Sequence, residues 1–141
     1  EPIHQVVETC GIAEHVRFPG YVAEDDKAAL ISGAQAFVYP SLYEGFGFPV
    51  LEAQSCEVPL LASRTSSLPE VAGEGALLVD PLDVDAMAAG LRRLLTDADL
   101  RRALVASGTE NLARFSWERT GEVVSGVIEA LLQQDQPRPA R

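Results

Sequence analysis

Glu44-Gly45-Phe46-Gly47-Phe48-Pro49-Val50-Leu51-Glu52 joins two differently patterned stretches of the chain. Before it, Ala36-Phe37-Val38-Tyr39 is a continuous apolar run, as a strand buried on both faces would be. After it, Val50-Leu51-Glu52-Ala53-Gln54-Ser55-Cys56 reads as a helix. The two glycines of the turn let the backbone approach a ligand closely. Pro49 suits the first helical turn, where its missing N–H costs nothing. A helix N-terminus offers unpaired N–H groups and a positive dipole end, which suits a phosphate. Glu44 and Glu52 bracket this seat; carboxylates repel phosphate but accept hydrogen bonds from hydroxyls. A phosphate seat between two hydroxyl acceptors points to a sugar-nucleotide site.

Outward from this turn, strands alternate with helices. Ile3 to Cys10 reads as the end of a helix stopped at Gly11. Val16-Arg17-Phe18 and Tyr21-Val22 read as a short strand and its loop. Glu24-Asp25-Asp26 opens a helix through Ala34, its acids favourable at the N-terminus. Val58-Pro59-Leu60-Leu61-Ala62 and Ala76 to Val79 are the next strands, with at most one helical turn at Pro69 to Ala72. This alternation predicts an α/β fold with a parallel sheet and crossover helices. Beyond Pro81 only helical spacing remains: Met87, Leu91, Leu94 and Leu95; Leu100, Leu104 and Val105; Val123, Val127, Ile128 and Leu131. Ser116 is the expected N-cap of the last helix, and 133–141, with Pro137 and Pro139, reads as a flexible tail.

At 141 residues one domain is the default, and 47% apolar content supports a core. The net charge of −10 argues against nucleic acid and acidic membrane surfaces as partners. No apolar run reaches the roughly 20 residues needed to span a bilayer. Cys10 and Cys56 are expected to be reduced and buried, in a cytoplasmic protein.

The string E-G-F-G-F-P-V-L-E-A resembles the donor-site motif of retaining glycosyltransferases with the two-domain GT-B architecture, family four. Gly20-Tyr21-Val22, Phe37-Val38-Tyr39-Pro40-Ser41, Ser67-Leu68-Pro69-Glu70-Val71-Ala72-Gly73, Ala76-Leu77-Leu78-Val79-Asp80-Pro81 and Phe115-Ser116-Trp117 follow in that family's order. The resemblance covers roughly 4 to 132. It implies that 1–132 is a partial C-terminal nucleotide-sugar-binding domain, cut from a Rossmann-like, doubly wound sheet of order 3-2-1-4-5-6. The strands here would be the third to sixth, and the stretch by itself is expected to fold poorly or to pair its strands non-natively.

The resemblance also implies site roles. Glu44 would bind the donor sugar's hydroxyls and support an oxocarbenium-like transition state, making it the catalytic candidate. Gly45, Phe46, Gly47 and Phe48 would offer backbone N–H groups to sugar and diphosphate, with the Phe48 side chain anchored in the core. Glu52 would bind the ribose, and Tyr21 and Val22 the nucleobase. No cofactor or metal is implied; the nucleoside diphosphate sugar is the substrate. Asp83-Val84-Asp85 looks like a metal-binding Asp-x-Asp but fits a helix start better. The family's basic pair from an earlier loop has no counterpart, since Arg17 and Lys27 stand in other segments. The N-terminal acceptor domain is missing as well, so the chain alone is expected to be inactive. Peripheral attachment of the whole enzyme to the inner face of a membrane stays open.

Glu57 departs from the pattern, which has a glycine there to end the helix in a left-handed conformation; glutamate enters it only with strain. That departure and the missing basic pair motivate an alternative, a non-catalytic nucleotide-sugar-binding remnant. An epimerase or a phosphorylase of the same architecture is another.

Overall fold

The computed structural model describes residues 3–134. Helix α1 (Ile3–Thr9) is followed by α2 (Glu24–Ser32), β1 (Phe37–Tyr39), α3 (Phe48–Ser55), β2 (Leu60–Ser63), α4 (Leu68–Ala72) and β3 (Leu77–Val79). Three helices close the described chain: α5 (Val84–Thr96), α6 (Ala98–Leu112) and α7 (Trp117–Gln134). The strands form one parallel sheet in the order β1-β2-β3, with Phe37 opposite Leu60 and Leu61 opposite Leu77. The fold is α/β, with helices on both faces of the sheet.

The period-2 geometry of β2 sorts the core. Leu60 and Ala62 face one side and join Ile31, Val50, Ala53, Val58, Leu68, Val71 and Ala72 from α2, α3, α4 and the turn before β2. Leu61 faces the other side and meets Leu94 and Leu104 of α5 and α6. Leu60, Leu61, Leu68 and Leu94 are fully enclosed, and burial of each such side chain contributes about 1.5–3 kcal/mol.

A buried polar ladder ties α3, α4 and α6 together. Gln54 Nε2 donates to the Ala72 carbonyl (2.9 Å), and Asn111 Nδ2 donates to Gln54 Oε1 (2.9 Å) and to the Val71 carbonyl (2.8 Å). Arg114 Nη1 donates to Asn111 Oδ1 (2.7 Å) and to the Glu70 carbonyl (3.2 Å). The ladder thus satisfies carbonyls at the end of α4 that the helix itself leaves without partners.

Helix ends follow the sequence closely. Asp83 caps α5 by accepting from Ala86 N–H, and Asp97 caps α6 by accepting from Asp99 and Leu100. Ser116 Oγ accepts from Arg119 N–H at the start of α7. α7 continues through Gln134; from 135 on, the expected tail lies outside the described residues. Along α7, Val123, Val127, Ile128 and Leu131 are exposed.

Glu57 takes the left-handed conformation in place of the expected glycine, at φ 57°. Its N–H donates to the Gln54 carbonyl and that of Val58 to the Ala53 carbonyl, the two bonds of a Schellman motif. The turn is therefore intact and the strain is local. Left-handed backbone costs a residue with a Cβ about 1–2 kcal/mol. Glu57→Gly is expected to raise stability by about 1 kcal/mol, read from the midpoint of chemical denaturation; a lower midpoint would contradict the assignment of strain.

The expected strand at 16–22 is not formed. Among the described residues β1 pairs with β2 alone, so Val16-Arg17-Phe18 has no neighbouring strand to complete a ladder. Gly20 turns the backbone at φ 70°, and Tyr21 and Val22 lie in an unpaired segment leading to α2. The cysteines are free as expected, but not buried: Cys10 is exposed and Cys56 half-buried. Both sit at helix ends, Cys10 in the open and Cys56 packed against the margin of the core.

Candidate functional site

The site lies in the loop that leaves the C-terminal end of β1 and enters α3, where ligands of open α/β sheets bind. Gly47 sits at φ 107° as the residue before α3, and a Cβ there would come within 2.6 Å of Leu68 Cδ2. Both the backbone and the packing therefore require glycine. Gly45 has a different status: a Cβ built on it meets nothing within 4 Å. Pro49 stands in the first turn of α3, as expected. The helix begins at Phe48 rather than Val50, so its positive end lies closer to the glycines.

Among the described residues, no acceptor meets the N–H groups of Gly45, Phe46, Gly47 and Phe48. Their neighbours are partnered: Glu44 N–H donates to Ser66 Oγ (3.0 Å) and Val50 N–H to the Gly47 carbonyl (3.0 Å). Four successive free donors at a helix start form a seat for an anion.

The loop is held by the one after β2. Ser67 Oγ lies 3.0 Å from the Glu44 carbonyl and 2.8 Å from the Phe46 carbonyl, bridging both with one proton. Thr65 Oγ1 donates to the Leu42 carbonyl (3.3 Å). Ser66 is left-handed, at φ 52°, a strained conformation that serves its contact with Glu44. Sequence reasoning did not assign Thr65, Ser66 or Ser67 to the site; the signal was their position after the next strand, at the same edge of the sheet.

Glu44 and Glu52 each have one oxygen engaged. Tyr39 Oη donates to Glu44 Oε1 at 2.5 Å. This bond, joined by one from Ser41, holds the Glu44 carboxyl below its usual range despite some desolvation. The same bond pushes the Tyr39 phenol up to about 12, with burial and the charges of Glu44 and Glu52 adding to it. Both carboxylates thus act on Tyr39. Glu52 Oε1 accepts from Lys27 Nζ at 2.6 Å, and Lys27 also meets Glu24 at 2.8 Å. Lys27 was placed outside the site on sequence grounds; packing of α2 on α3 brings it to Glu52.

The phenol makes a direct test. Tyr39 gains its partner on folding, so its proton is held through the window from its ordinary value near 10 up to about 12. The stability this adds is present below pH 10 and lost as pH rises through that window. Ultraviolet titration is expected to show one phenol ionising near pH 12 and moving down in Glu44→Gln; an unchanged titration would exclude the contact.

Phe48 corrects an expectation: its side chain is 54% exposed rather than anchored in the core. The buried face of α3 is Val50, Ala53 and Gln54, and Phe48, two residues before Val50, falls off that face. Its ring lies 4.8 Å from that of Phe46, which meets Phe115 edge-on at 5.9 Å. These rings, with Leu51, Trp117 and Val123, line a cavity of about 830 Å³ between the loop and α7. Tyr21 is 93% exposed and Val22 half-buried. Asp83 and Asp97 serve as caps. Among the described residues no three His, Cys, Asp or Glu side chains converge as metal ligands, and no helix is long and apolar enough to cross a membrane.

A family described as Glycosyl transferases group 1 matches residues 1–111. Among curated relatives, O-antigen chain mannosyltransferase B of Escherichia coli is 46% identical over 114 residues, 81% of this chain and 30% of that protein. MMP alpha-(1->4)-mannosyltransferase of Mycolicibacterium hassiacum is 36% identical over 132 residues, 91% of this chain and 32% of that protein. Among solved structures, sucrose-phosphate synthase from Thermosynechococcus elongatus superposes with a TM-score of 0.83 at 30% identity, over 94% of this chain and 34% of that one. The chain thus spans about a third of the length of these relatives.

Proposed function

The chain belongs to the glycosyl transferases group 1 family, and from that premise we propose that it forms the donor seat of a retaining, hexosyltransferase-like GT-B enzyme. The reaction moves a sugar from a nucleoside diphosphate to a hydroxyl acceptor with the anomeric configuration kept. The observation that carries this reading is the row of four unpartnered N–H groups, Gly45 to Phe48, between two engaged carboxylates.

Each part has a task in it. The free N–H groups and the start of α3 bind the diphosphate and stabilise the charge it gains on leaving. Gly45, a glycine the fold does not demand, leaves room for the donor. Glu44, kept ionised by Tyr39 and Ser41, accepts from the sugar's hydroxyls and opposes the positive charge that develops on the ring. Glu52 accepts from the ribose, and the main chain at Tyr21 and Val22 holds the base. No metal or cofactor has a task in this scheme. The rest of the protein supplies the acceptor domain, and the exposed apolar face of α7 is where we place its contact. The chain alone is then inactive, and the whole enzyme works in the cytoplasm or at the inner face of a membrane.

The turn at Glu57 keeps both hydrogen bonds of its motif, so the departure from glycine gives no support to a non-catalytic remnant. Thermal unfolding of the complete protein with UDP, GDP, ADP and their sugar conjugates tests the reading. One nucleotide series is expected to stabilise it, by about 2.7 kcal/mol at a hundredfold excess over the dissociation constant. Glu44→Ala with Glu52→Ala is expected to reduce the shift markedly. A folded protein that responds to none of them would overturn the reading.

A further inference from the structure

Lys27 reaches the site from α2, twenty-five positions before its partner Glu52 on α3. Its ammonium lies 2.6 Å from Glu52 Oε1, and the two side chains retain only 32% and 33% of their accessible surface. The second partner, Glu24, is a neighbour on α2 at 2.8 Å and is 81% exposed. Exposed pairs of that kind along one helix contribute little. The contact with Glu52 is different in kind, because it joins two elements and sits where a carboxylate is asked to hold one direction.

A glutamate side chain has three rotatable bonds, and on a helix surface its carboxylate samples several positions. A charge-assisted hydrogen bond to one oxygen removes most of that freedom. Oε1 is taken by Lys27 and Oε2 is left for another donor; no hydrogen bond to it exists among the described residues. We propose that Lys27 is a positioning residue for the donor site, anchoring Oε1 of Glu52 so that Oε2 points at a ribose hydroxyl of the nucleoside diphosphate. The inference rests on the reading of Glu52 given above. It adds a source of selectivity for ribose over deoxyribose that involves no contact between Lys27 and the nucleotide. The Glu24 and Glu52 carboxylates hold the Lys27 ammonium charged well above its ordinary range, so the anchor persists across physiological pH.

The test is the ratio of affinities for ribo and deoxy nucleotides, measured by calorimetry on the complete protein. The probes are the best-binding nucleoside diphosphate and its 2′-deoxy and 3′-deoxy forms. The wild type is expected to prefer the ribo form by roughly tenfold or more, the scale of one hydrogen bond to a charged group. Glu52→Gln is expected to bring this ratio close to one. Lys27→Met is expected to reduce it nearly as far with a smaller change in affinity for the deoxy forms, and Lys27→Arg to restore it. Loss of packing alone would weaken all three probes together and leave the ratio unchanged. If Glu52→Gln loses the preference and Lys27→Met keeps it, the positioning role is wrong and the donor site stands. If Lys27→Met loses the preference and Lys27→Arg does not recover it, the cation is not what positions Glu52 and the proposal is overturned. If the wild type binds none of the probes, the reading of the site fails first, and this inference with it.

Discussion

Glu44→Gln in the complete protein is expected to lower kcat by about a hundred- to a thousandfold, the cost of removing one preorganised electrostatic group. Glutamine keeps the length of the side chain and an oxygen that can still accept from Tyr39, so the loop retains its shape. What the proposed scheme loses is a negative charge beside a sugar ring that becomes positive in the transition state. Donor affinity is expected to change much less, because the proposed scheme gives the phosphates to the N–H groups of Gly45 to Phe48. Initial rates against donor concentration separate the two effects. A kcat within a few fold of wild type would remove Glu44 from the reacting centre. The pH dependence follows from the same contact. The bonds from Tyr39 and Ser41 hold Glu44 below its usual range, so activity that needs the carboxylate survives to a lower pH than an ordinary glutamate allows. It is lost as pH falls through that depressed value. Tyr39→Phe removes the larger cause, and the acid limb of the profile is expected to move upward.

The largest effect on stability is expected at Gly75. A Cβ there would lie 2.5 Å from Gly108 Cα and 2.8 Å from Gly108 N. Both are backbone atoms of α6, which cannot rotate out of the way as a side chain can. The same Cβ would meet Gln54 Nε2 at 2.5 Å. Gly75→Ala therefore has to push α6 away from the polar ladder, exposing Gln54 and Asn111 to lost partners. Overpacking costs about 1–3 kcal/mol and each stranded buried polar group about 1–3 kcal/mol more. A loss of about 3 kcal/mol or more is expected, a large share of the roughly 5–15 kcal/mol that holds a domain together. Gly121→Ala is the matching control. It sits inside α7 with nothing within 4 Å of a built Cβ, and alanine in an exposed helix is expected to add about 0.5–1 kcal/mol. Denaturant midpoints of the two variants should move in opposite directions; equal shifts would refute the close approach of α6.

Local chemistry made much of this legible. Gly47 and Pro49 mark the loop-to-helix turn, and the structure puts them at the residue before α3 and in its first turn. Asp83 and Ser116 announce helix starts because a short polar side chain satisfies free N–H groups within three residues of itself. Each of these depends on neighbours in the chain, so a single sequence contains the whole argument.

The failures have a different origin. Val16-Arg17-Phe18 carries the composition of a strand, but a strand exists only with a partner, and the partner is not a local property. Phe48 is apolar yet exposed, because the side of α3 that is buried depends on where β2 and α4 lie. Lys27 was discounted because it stands in another segment than the family's basic pair, and Thr65, Ser66 and Ser67 were not assigned to the site. The sequence by itself determined the alternation of elements, their caps and the glycine-rich turn, since backbone conformation and capping act over three or four residues. Tertiary structure alone decided that Lys27 meets Glu52 and that Ser66 and Ser67 hold the Glu44 backbone, because α2 and the loop after β2 reach them only when packing of the sheet and helices brings distant segments together.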